Sequence, residues 1–76
     1  MDVSDVKEYL TQHDQEFRKL VEQHKEYERQ LDELVRKPYL NEQDQIQETV
    51  IKKKKLAVKD QMQILMHRYQ TEHSVH

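Results

Sequence analysis

The chain has 76 residues, with no cysteine, glycine or tryptophan and a single proline, and 37% of it is charged. Without cysteine there are no disulfides or thiolate metal sites, and without glycine there are no phosphate-cradling loops, dinucleotide fingerprints or tight hairpin turns of the kind most β folds need. The 13 lysines and arginines against 15 aspartates and glutamates give a net charge of −2, so no global field points to nucleic acid or an anionic membrane.

A chain this short forms one domain at most and buries only about 60% of its unfolded surface. Oligomerisation is the stabilising route left open. The segment Met1-Asp2-Val3-Ser4-Asp5 is not a signal peptide. The longest apolar runs are three residues, such as Ile64-Leu65-Met66, far short of a membrane span. The expectation is a soluble cytoplasmic protein without cofactor, membrane contact or small-molecule substrate.

The first helix is predicted over residues 5–36. Val3, Val6, Leu10, His13, Phe17, Leu20, His24, Tyr27, Leu31 and Leu34 follow one another in unbroken steps of three and four. This is a heptad seam, with Val3, Leu10, Phe17, His24 and Leu31 at a and the others at d. Val21 and Val35 flank it at e, and Tyr9 at g. Asp5 and Glu8 have the spacing of a capping box, with Asp2 an alternative cap.

The turn is predicted at residues 37–41, where Pro38 ends the helix by pushing its predecessor out of α geometry. Asn41 is a good N-cap, with Glu42 in the first turn and Asp44 three residues on. The second helix is predicted over residues 42–69, followed by a frayed tail at 70–76. A first helix of about 48 Å with one apolar seam needs a partner, and a short turn makes the second helix its antiparallel neighbour. The expected fold is all-α: an antiparallel two-helix coiled-coil hairpin assembling into a four-helix homodimer.

The second helix carries more apolar surface than one seam can cover. Ile46, Val50, Ala57 and Ile64 form one stripe, and Ile51, Val58, Met62, Leu65 and Tyr69 form another about 100° or more away. Leu56 points elsewhere again. The excess implies a second partner, either another copy or a different protein. Ile51, Leu56, Val58, Met62, Leu65 and Tyr69 are the expected partner-binding residues.

Phe17, Leu20, His24, Tyr27 and Leu31, followed by the run from Lys52 to Asp60, resemble the YdcH-like family of small bacterial proteins. That family has an aromatic, a leucine, a histidine and two more apolar residues at the same steps, then a Lys-Lys-x-Lys-Leu-x-Leu-Lys-Asp run. Here Val58 stands for the second leucine of the run and Tyr27 for a leucine of the seam; both remain apolar. The resemblance covers roughly residues 10 to 67. It implies a cytoplasmic, bacterial two-helix hairpin and carries over no biochemical activity.

His13 and His24 stand in the seam where hydrophobes are expected. They lie about 16 Å apart along one helix and cannot share a metal. If the turn centres near Tyr39, His13 faces the Leu65 to His67 region and His24 faces Lys54. Their foremost expected role, with Phe17 and Tyr27, is to fix register, as buried polar residues do in zippers, ahead of pH sensing or a His13–His67 metal site with further ligands. Lys52, Lys55 and Lys59 share a face and form the one compact basic patch; charge complementarity between the helices explains it more simply than phosphate binding. Asp60 is expected to pair within its helix with Lys53, Lys54 or another nearby charge. Tyr39 and Leu40 at the turn cap the hairpin core or form a contact point.

No catalytic residue is assigned, because a two-helix hairpin has no pocket in which groups converge. The function expected is a non-enzymatic protein–protein interaction or assembly module, its partner itself or another protein. The alternatives are a nucleic-acid-associated protein using the Lys52/Lys55/Lys59 face and a small subunit of a larger complex.

Overall fold

The computed structural model describes residues 3–73, with side chains from Ser4 onward. These residues form three helices and no strand: α1 (Val3–His13), α2 (Gln15–Val35) and α3 (Glu42–Glu72). The molecule is elongated, 54 × 19 × 17 Å, with α3 spanning most of its length.

The long first helix expected at 5–36 is two helices, divided at Asp14. Asp14 is extended (φ −115°, ψ 114°) and is the N-cap of α2. Its Oδ1 accepts from the Phe17 N–H at 3.0 Å. The last carbonyls of α1, orphaned by the break, find a donor in Arg18, whose Nε reaches the Thr11 carbonyl (3.0 Å) and whose Nη2 reaches that of Gln12 (2.7 Å). Both halves of the break are thus satisfied by side chains, which lets an unbroken heptad pattern bend.

At this joint the chain turns back on itself. Ser4, Lys7 and Thr11 of α1 line one groove with Val21 and Lys25 of α2. Along a continuous helix Ser4 and Lys25 would be about 32 Å apart. α1 therefore lies against the first half of α2 and the second half of α3. Val6 and Leu10 from α1, Phe17 and Val21 from α2, and Val58, Met62 and Met66 from α3 form one core, with Val6 and Phe17 sealed off entirely.

The connection between α2 and α3 follows the sequence closely. The Arg36 N–H bonds back to the Asp32 carbonyl (3.2 Å) and that of Lys37 to Leu34 (3.1 Å), after which Pro38 prevents continuation. Asn41 caps α3 in a reciprocal box: its Oδ1 accepts from the Asp44 N–H (2.8 Å), and its own N–H donates to Asp44 Oδ2 (3.3 Å). Lys37 Nζ closes the turn on Asp44 Oδ1 at 2.9 Å. Higher up, Lys55 of α3 reaches Glu28 of α2 at 3.4 Å. Both contacts are consistent with α2 and α3 lying as antiparallel neighbours.

The capping box expected at Asp5 and Glu8 is not where α1 starts, since the helix already includes Val3; Asp2, the alternative cap, lies outside the described residues. The tail expected at 70–76 is helical through Glu72, and residues 74–76 likewise lie outside them.

Candidate interaction surface

Of the six residues expected to meet a partner, three are in the protein's own core. Ile51, Val58 and Met62 are buried, Val58 and Met62 in the core shared with α1 and α2, and Leu65 and Tyr69 are half-buried at the edge of that core. Only Leu56 is fully open, at 59% exposure. The two apolar stripes of α3 are exchanged relative to expectation. The stripe that faces outward is Ile46 (58%), Val50 (43%), Ala57 and Ile64 (49%). Met66, not singled out from the sequence, is a core residue one turn beyond Met62. The physical reason is the extra helix: α1 and α2 together cover an arc of α3 wider than one seam could.

The outer stripe lies on the side of α3 opposite its buried residues, at 3.6-residue spacing. Lys53 and Asp60 border it on one side. Asp60 does not form the expected pair with Lys53 or Lys54, and neither Lys53 nor Asp60 has an ion-pair partner among the described residues. At the turn, Tyr39 is exposed and Leu40 half-buried.

The basic patch is largely compensated. Lys52 pairs with Glu48 one turn earlier (3.3 Å) and the half-buried Lys55 with Glu28 (3.4 Å). Lys59 shares a groove with His24, Glu28 and Lys55, joined by Lys7 from α1.

The seam residues have separate fates. Phe17 is sealed in the core, and Tyr27 packs half-buried against it. His24 is half-buried, with Nδ1 3.7 Å from Glu28 Oε1, beside Lys55 rather than the expected Lys54. His13 is exposed, because the break at Asp14 takes it out of the seam. Its ring instead lies against Tyr9 (centroids 4.4 Å), which meets Tyr69 (5.0 Å), which stacks on His73 (4.2 Å). Burial, with the Tyr9 phenol alongside, raises the Tyr69 hydroxyl above its ordinary pKa. Among the described residues no three His, Asp or Glu side chains are placed to hold a metal ion.

A family model for proteins of unknown function, DUF465, matches residues 17–66. The chain belongs to the DUF465 family. YdcH-like proteins are members of it, so the resemblance read from Phe17, His24 and the Lys52 to Asp60 run holds. No curated protein and no solved structure matches the chain. The DUF465 match begins at Phe17, the first core residue of α2, and leaves α1 outside it. No described helix is long and apolar enough to cross a membrane.

Proposed function

We propose that this DUF465 protein is a non-enzymatic, cytoplasmic interaction module. In this reading α2 and α3 act as a coiled-coil hairpin that pairs with a second copy through the outer face of α3, giving a four-helix core. The observation that carries it is the stripe Ile46, Val50, Ala57 and Ile64, left uncovered opposite the core. Such a stripe is available to another helix.

The charges beside the stripe favour a second copy over an unrelated protein. With two α3 helices antiparallel about a two-fold axis near Ala57, Lys53 comes beside Asp60 of the second copy, and Val50 beside its Ile64. The small Ala57 side chain at the axis allows close approach. The Lys53–Asp60 pair is thus made twice by symmetry, once for each bordering charge. The ion pairs already made by Lys52 and Lys55 leave little basic surface for nucleic acid, which weighs against that alternative.

The test is mass in solution as a function of concentration. The wild-type chain should show a dimer that Ile46→Glu with Ile64→Glu converts to a monomer of unchanged helicity. A double variant that keeps the wild-type mass overturns the assignment of this face.

A further inference from the structure

The joint at Asp14 supports an inference independent of the outer face of α3. The heptad steps Val3, Val6, Leu10, His13 and Phe17 pass through the break without a missed step. The residues that pack α1 back onto the core, Val6 and Leu10, are therefore also the seam residues of one continuous helix. Two arrangements of the same sequence use the same apolar side chains. The bent one is held by Asp14 on the Phe17 N–H and by Arg18 on the Thr11 and Gln12 carbonyls.

We propose that α1 is exchangeable between copies: when the joint straightens, α1 continues α2, and the site it leaves on the core is filled by α1 of a second copy. The site is the surface of Phe17, Val21, Met62 and Met66. Its occupant is fixed by the structure itself, because the same segment already sits there. A straightened chain cannot fill its own site, since Val6 would be carried away from the core along the axis of α2.

The register of the exchange follows from the bent form. There Ser4 of α1 lies near Lys25 of α2. Keeping that contact between two copies makes residues 3–35 of each a single helix antiparallel to the other. The two-fold axis then falls between Asp14 and Gln15, so the joint itself sits at the centre of symmetry. Two Asp14 carboxylates are brought together there, which opposes the exchange along with the lost cap. Asp14 is thus the residue that biases the chain to the bent form, and its replacement by the good helix former alanine removes both restraints.

The absence of cysteine makes the test direct. Ser4→Cys with Lys25→Cys is spin-labelled and diluted into excess unlabelled chain, so only distances within one chain are read. The bent form should give a distance under about 20 Å, as for neighbouring packed helices. Adding Asp14→Ala should move the population to about 32 Å and double the mass of the particle. Arg18→Gln, which keeps the N-cap, should give a smaller shift in the same direction and stands in if Asp14→Ala loses its helical signal. Adding Ile46→Glu and Ile64→Glu should leave the long distance in place in a particle of twice the monomer mass, separating this exchange from pairing through α3. A distance that stays short in both variants up to millimolar concentration overturns the proposal. So does a long distance in a particle of monomer mass.

Discussion

Val21 and Val35 occupy the same heptad position two repeats apart on α2, yet Val21 is 8% exposed and Val35 61%. The difference is α1, which folds over Val21 and does not reach Val35. Val21→Ala should therefore cost about 1.5–3 kcal/mol, the value of two buried methylenes with a partly relaxed cavity. Val35→Ala should stay within about 0.5 kcal/mol. Denaturant unfolding of the two variants checks the pair; equal effects would mean that α1 does not cover Val21 in solution.

Asn41→Ala should lower stability by about 1 kcal/mol, because it leaves the Asp44 N–H without its acceptor and removes half of the capping box. A urea midpoint shift at unchanged slope is the expected signature.

Two groups should shape the pH dependence of stability, at opposite ends. The hydrogen bond from Lys37, aided by the Asn41 N–H, holds the Asp44 carboxyl below its ordinary 3.8. A lowered folded pKa contributes stability that is present above the unfolded value and lost as pH falls through the folded one. The advantage of wild type over Asp44→Asn should thus be present at about pH 7 and gone by about pH 2. Tyr69 is raised above 10.0, chiefly by burial, so the sign reverses. Its contribution is complete below about pH 10 and is lost as pH climbs through the folded value. Wild type should therefore lose stability relative to Tyr69→Phe between about pH 8 and pH 11, as melting curves of the two would show.

The Glu28–Lys55 bridge links α2 and α3 but should contribute little. Glu28 is half in solvent, and exposed pairs are worth at most about 1 kcal/mol. Lys55→Met should change the unfolding free energy by less than about 1 kcal/mol and leave the α2–α3 register unaltered. A larger loss would mean that the bridge, rather than the core, sets the register.

What could be read from the sequence was what short-range chemistry determines. Asn41 and Asp44 form a capping box because their spacing and side chains require nothing from the rest of the chain. Pro38 ends α2 for an equally local reason. The break at Asp14 carried a local signal too, an N-cap residue followed by Gln15, Glu16 and a hydrophobe at the third position. The unbroken heptad outweighed it, because periodicity records which residues can share a face and not whether the helix bends between them. The exchange of the two α3 stripes follows from the same omission. Both stripes are apolar, and only the way α2 and α1 together lie on α3 decides which one is covered. Once α1 is folded back, Val58 and Met62 are enclosed between it and α2, and Ile64 is left outside.

A joint one residue long makes α1 a lever. Its arm of 11 residues extends about 16 Å from Asp14. A rotation of some tens of degrees in one torsion at that residue moves the far end by roughly 10 Å, a large part of the molecule's 17 Å thickness. The 3.0 Å hydrogen bond between Asp14 and Phe17 lies at the base of this lever, and a probe at Ser4 would register the opening of the joint as a displacement many times the change at its source.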